Sequence, residues 1–185
     1  MFRKATKTKG RARIALSGVS GSGKTYSALA IACALGKRVL VVDSERGSAE
    51  KYADKFEFDV VDAAALPDHS PATYNKILAA AADEKYDVIV VDSLSHEWMG
   101  TGGILEMVDR AAGSNSFAKW KTASPLHAKL IDSLLQVPCH LIATMRAKSE
   151  YVMEDVNGSR ARVRESMAIW CSCCCLPDPA STRLA

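Results

Sequence analysis

Between two apolar stretches the chain carries Gly18-Val19-Ser20-Gly21-Ser22-Gly23-Lys24-Thr25, a fit to the pattern G-x-x-x-x-G-K-[ST]. Three glycines within six positions favour neither helix nor sheet. The chain must therefore leave one element here, turn, and enter another. Residues 13–17 before the loop read as a short strand, and residues 25–35 after it, rich in Ala and Leu, read as a helix. Strand, glycine loop and helix in that order form the setting in which a backbone wraps phosphate, with amide N–H groups and the helix N-terminus pointing at the anion. In that setting Lys24 reaches the β- and γ-phosphates of a nucleoside triphosphate and the Thr25 hydroxyl ligates Mg²⁺. The expected ATP-binding set is Gly18, Val19, Ser20, Gly21, Ser22, Gly23, Lys24, Thr25 and the Tyr26 that follows.

The rest of the chain alternates strand and helix. Residues 38–42 form a second apolar strand between Gly36 and Asp43, and residues 58–62 a third, shorter one. Ser70 followed by Pro71 makes a cap and first-turn pair that opens a helix running towards Asp83. Asp87-Val88-Ile89-Val90-Val91-Asp92 is a continuous β-branched run, the mark of a strand covered on both faces in a parallel sheet. Helices are expected over residues 104–112 and 125–136, the second capped by Ser124 and stopped near Pro138. Residues 139–144 form another buried strand. Residues 151–155 and 160–164 flank Asn157-Gly158, a strong hairpin signal. The expected fold is α/β, a mostly parallel sheet flanked by helices and followed by a C-terminal β-hairpin. Residues 1–12 read as a basic arm, 13–165 as the core, and 166–185 as an atypical tail.

Chemistry is expected where strands end. A nucleotide-bound Mg²⁺ needs a carboxylate near the glycine loop, and Asp92 at the end of its strand supplies one. Asp43-Ser44-Glu45 ends the second strand at the edge where ligands bind in open α/β sheets, which places Glu45 to polarise a water attacking the γ-phosphate. Thr144, Arg146 and Lys148 end the late strand at the same edge, as sensors of the γ-phosphate or as a cation offered to a neighbouring subunit. His96, four residues past Asp92, is a candidate contact to nucleotide or DNA, and Gly100, Gly102 and Gly103 suggest a mobile loop at the active edge, to be read either as a DNA contact or simply as a turn. His127 and His140 read as packing residues.

In order and spacing, the glycine loop, Val42-Asp43-Ser44-Glu45, Asp87 to Ser93 and Ile142-Ala143-Thr144-Met145-Arg146-Ala147-Lys148 resemble the core of the RecA-like P-loop ATPases. Ser93-Leu94-Ser95-His96-Glu97-Trp98, Asn115-Ser116-Phe117 and Pro138 to Arg146 are most similar to the small phage-type ATP-binding proteins with an AAA domain that act in single-strand annealing and recombination. The resemblance covers roughly residues 11–165. It implies an ATP-binding, Mg²⁺-dependent, oligomeric ATPase of DNA recombination, with Glu45 in the position of the water-activating glutamate and Thr144 where recombinases usually carry a Gln. After Glu165 the resemblance stops. The segment through Trp170, Cys171, Cys173, Cys174 and Cys175 belongs to no familiar element and reads as a truncated or out-of-frame end.

Charge bears on partners. The chain has 24 Lys plus Arg against 21 Asp plus Glu. The first thirteen residues carry six cations, Arg3, Lys4, Lys7, Lys9, Arg11 and Arg13, and no acid, so the remainder is net acidic and the basicity is that of an arm suited to phosphates of single-stranded DNA. Only Cys171 and Cys174 have C-x-x-C spacing, with no second pair, so neither a zinc site nor a disulfide framework is expected. The longest apolar run, Ala28 to Leu35, is far short of the ~20 residues of a membrane span, and a cytoplasmic protein, in a bacterial host if phage-derived, is expected. Two other readings share the glycine loop: a nucleotide-binding module that has lost hydrolysis, and a small-molecule kinase, for which an Arg-rich lid is missing.

Overall fold

A computed structural model describes Lys4 and residues 10–45, 47–61, 66–111, 116–156 and 159–169. Five strands form a parallel sheet in the order β1-β5-β4-β2-β3: β1 (Arg13–Gly18), β2 (Val39–Asp43), β3 (Asp59–Val60), β4 (Val88–Asp92) and β5 (His140–Val156). A sixth strand, β6 (Ser159–Ile169), pairs antiparallel with the outer half of β5. The expected α/β architecture with a mostly parallel sheet is what the chain adopts, and it is the architecture of a P-loop NTPase.

Alternation along the strands sorts the core into two layers. Val39, Val41, Val88, Val90 and Ile142 face helix α1 (Lys24–Leu35), which lies close on the sheet because it presents Ala28, Leu29 and Ala32. Leu40, Val42, Ile89, Val91, Leu141 and Ala143 face the other way, onto helices α2 (Pro71–Asp83) and α5 (Ser116–Gln136). Both faces of the sheet are thereby covered, which is why β2 and β4 are buried at all five positions. Helix α2 starts as its sequence dictates: the Ser70 hydroxyl accepts the Thr73 N–H at 3.2 Å, with Pro71 in the first turn.

Three expectations need correction. The late helix does not begin at Pro125 with Ser124 as its cap: α5 starts at Ser116 and carries Pro125 inside it. Pro125 and Lys121, whose carbonyl loses its N–H partner, are both exposed, so water can satisfy that carbonyl, while Ala123, Leu130 and Leu134 anchor the buried side. Strand β3 is two residues long rather than five. No break separates the late parallel strand from the hairpin, because β5 runs without interruption from the sheet into its pairing with β6. The Asn157-Gly158 turn itself lies outside the described residues, although Val156 and Ser159 on either side of it pair. Of the two readings of Gly100, Gly102 and Gly103, the turn is the one seen, between two short helices, α3 (Ser95–Met99) and α4 (Ile104–Arg110). It is tied down by Gly103 N–H to the Gly100 carbonyl at 2.9 Å and by His69 N–H to the Thr101 carbonyl at 2.8 Å.

Of the basic arm, Arg3, Lys7 and Lys9 lie outside the described residues, and Arg13 has a structural task. Its guanidinium donates to the carbonyls of Leu135 (3.1 Å), Val137 (2.5 Å) and Cys139 (2.6 Å), satisfying the end of α5 and the approach to β5. His140 accepts the Ala12 N–H at 3.0 Å beside it. Strand β6 includes Ser166 to Ile169, and the cysteines from Cys171 onward lie outside the described residues.

Candidate functional site

The strand order brings four carboxyl ends to one edge. Gly18 pairs in register with Arg146 across β1 and β5, and Asp43 pairs with Asp92 across β2 and β4. The glycine loop leaves β1 there and enters α1 through Gly23, whose φ of 81° makes it a left-handed cap; Gly21 is also left-handed, at 79°. A side chain at either position would strain the turn. The first turn of α1 holds no acidic residue, so nothing on the helix itself neutralises its positive end. Lys24 folds back across the loop, its Nζ donating to the Val19 carbonyl at 2.8 Å.

At the foot of the loop, Asp92 is 1 % exposed. Burial of a carboxylate at that depth requires donors. Thr25 Oγ1 donates to Oδ2 at 2.6 Å and Thr144 Oγ1 to Oδ1 at 2.5 Å. The structure thus joins Thr25, Asp92 and Thr144, three of the residues expected from sequence. The donor set suits Mg²⁺: hydroxyl and carboxylate oxygens are the hard ligands this ion takes, and it is usually held by one or two protein groups plus substrate phosphates. Among the described residues, no group of three His, Cys, Asp or Glu is placed to hold a metal ion by itself.

The second acid is held differently. Glu45 sits past the end of β2 in a loop that Asp43 organises: Asp43 Oδ1 accepts the Glu45 N–H at 2.8 Å, and Oδ2 accepts those of Gly47 and Ala49 at 3.0 and 2.9 Å. Glu45 Oε1 accepts from both Nε (3.0 Å) and Nη2 (2.8 Å) of Arg146. The Arg146 N–H is fixed in turn by Ser95 Oγ at 2.8 Å. Between the two acids lies a polar seam. Ser44 Oγ accepts the Ser93 N–H at 2.7 Å and lies 2.6 Å from His96 Nδ1. His96 stacks on His69, ring centroids 5.3 Å apart. Burial, and then the Arg146 charge, hold the His96 pKa below its ordinary 6.5, against the opposing pull of Glu45, Asp92 and Asp43. Tyr74, buried beside this seam, has its phenol pKa pushed up by desolvation.

Tyr26 is not drawn into the core. It is 45 % exposed on the first turn of α1, edge-on to Tyr52 and Phe56. His127 lies within 3.0 Å of the fully buried Glu97, away from the loop. Sequence reasoning missed the Asp43 clamp, the Ser44–His96 contact and the Glu45–Arg146 pair. Only the first had a local signal, an Asp closing a strand just before a Ser- and Gly-containing turn.

A family model for an AAA domain matches residues 10–168. No curated protein matches the chain.

Proposed function

The chain belongs to the AAA domain family, whose members bind nucleotide and generally hydrolyse ATP, and from that premise we propose that it is a Mg²⁺-dependent ATPase serving DNA recombination or single-strand annealing. The observation that carries the ATPase reading is the buried Asp92 with the Thr25 and Thr144 hydroxyls on its two oxygens, at the foot of a glycine loop whose helix offers an uncompensated N-terminus. In this reading the loop amides and Lys24 hold the phosphates, with Tyr26 beside the bound nucleotide, and Thr25 and Asp92 hold Mg²⁺. The bound ion offsets charge on the phosphate oxygens. Glu45 accepts a proton from water as the water oxygen bonds to the γ-phosphorus and the bond to the bridging oxygen of ADP breaks. Thr144 acts through Asp92, as a positioning residue.

The recombination half rests on the RecA-like motifs, on the cations Arg3, Lys4, Lys7, Lys9 and Arg11 ahead of β1, and on Arg160, Arg162 and Arg164 along β6. A homo-oligomer on single-stranded DNA is the assembly it implies.

Phosphate release from ATP, measured with and without Mg²⁺ and single-stranded DNA, tests both halves. Release that needs Mg²⁺, disappears in Lys24→Ala and rises with DNA is the expected result. Release indifferent to DNA, together with no binding at low salt, would remove the recombination role and leave the ATPase. Nucleotide binding without any release would favour a module that has lost hydrolysis. DNA binding, where found, should weaken with salt with a slope of about −0.7 per phosphate contact.

A further inference from the structure

Arg146 is the one charged side chain described at this edge that links the glycine loop's strand to the acid beyond β2. Its backbone is paired with Gly18, the first residue of the loop, and its N–H is pinned by Ser95 Oγ. Only the side chain is left free to move. That side chain has both Nε and Nη2 on a single oxygen of Glu45, and the two side chains are 38 % and 26 % exposed, open enough for an anion to reach them. The contact seen here occupies that Glu45 oxygen with two N–H donors, so the oxygen is not open to a water while the pair is made. A guanidinium fork matches phosphate oxygens as well as it matches carboxylate, and a terminal phosphate carries more charge than Glu45 does.

We propose that Arg146 is a two-position residue that exchanges Glu45 for the terminal phosphate of a nucleoside triphosphate, so that the base is released only when a triphosphate is bound. This inference rests on the nucleotide-site reading above and adds its regulation. A diphosphate has no group at the γ position to compete for the guanidinium, and it leaves the Arg146–Glu45 pair in place. Triphosphate binding is thereby coupled to the loss of an ion pair, and the coupling is reciprocal: removing the Glu45 side of the pair, which leaves Arg146 unengaged, must tighten ATP but not ADP.

The test is the ratio of ATP to ADP affinity, measured by calorimetry on the full chain with Mg²⁺, in the parent protein, Glu45→Gln, Arg146→Gln and the double variant. ADP affinity serves in each as the check that the site is folded. Glu45→Gln should raise the ratio about threefold to fivefold, the scale of a partly exposed ion pair. Arg146→Gln should lower it about tenfold or more, through loss of a charge-assisted bond to phosphate. In the double variant the Glu45 substitution should have no further effect. A ratio unchanged by Glu45→Gln, or raised equally when Arg146 is already gone, overturns the exchange and leaves the nucleotide site standing. Failure of the parent protein to bind either nucleotide overturns both.

Discussion

The ends of β4 and β2 lie side by side, in register at Asp92 and Asp43, and each delivers an acid to the same edge of the sheet. The two acids are held in opposite ways. Asp92 is buried, its oxygens taken by two neutral hydroxyls on other elements. Glu45 is partly exposed, on a loop, and its partner is a partly exposed cation. Buried neutral donors fix a carboxylate in place without cancelling its charge, which is what a metal ligand requires. An exposed ion pair costs little to break, which is what a group that must take up a proton requires. In the function proposed above, this difference matches binding at the end of β4 and turnover at the end of β2.

The largest effect expected from that division is on rate. Glu45→Gln should slow hydrolysis by roughly 10²-fold or more, the usual size of a general-base contribution, while ATP still binds. Single-turnover assays with saturating ATP separate the two quantities. Undiminished turnover would return Glu45 to the ordinary surface acids and leave the comparison without its second half. Asp92→Asn should behave the other way round. It keeps the shape and loses the charge, so ATP affinity in Mg²⁺ should fall by about tenfold or more, with little change when Mg²⁺ is chelated. Equal weakening with and without the ion would separate Asp92 from the metal.

How much of this was legible in the sequence depends on chain distance. The glycine loop, the Ser70-Pro71 helix start and the Val88 to Asp92 strand are each written within a dozen residues, by backbone conformation, capping and β-branching, and each formed as expected. The chemistry at the ends of β5, β4 and β2 joins residues far apart in the chain: Arg146 reaches Glu45 across 101 positions, and Thr144 reaches Asp92 across 52. No local pattern encodes such a meeting, because it is set by β5 inserting between β1 and β4. Helix α5 shows the converse failure. Ser124-Pro125 is a sound local start signal, and it was overridden because the helix buries Ala123, Leu130 and Leu134 on one side while Pro125 faces solvent on the other.

The third test compares what each pair contributes to stability. Thr144→Val keeps the volume and removes the hydroxyl from a fully buried site, leaving one oxygen of Asp92 without its donor. A loss of about 2 kcal/mol is expected, lowering Tm by roughly 4–8 °C, with Thr144→Ser restoring most of it. Arg146→Gln should cost no more than about 1 kcal/mol by the same melt, as exposed pairs do. Equal losses would show that the two acids are equally built into the fold, and the division between fixed and movable would not hold.

The smallest expected effect is read at His96, which touches Ser44 between the two acids and feels both. Burial, followed by Arg146, disfavours its charged form, so the folded pKa lies below the ordinary 6.5 and the unfolded chain takes up the proton at higher pH than the folded one. The sign follows: the contribution of neutral His96 is complete above about pH 6.5 and is lost as pH falls through that value towards the folded pKa. His96→Gln should therefore flatten the decline of Tm between about pH 7 and 5. Following the His96 ring by NMR titration in two variants sharpens the comparison. Arg146→Gln removes a repulsive cation and should raise the pKa, whereas Glu45→Gln removes an attractive anion, leaves Arg146 uncompensated, and should lower it further. Shifts in the same direction would mean that His96 responds to general loosening of the edge, and that the Arg146–Glu45 pair does not set the field there.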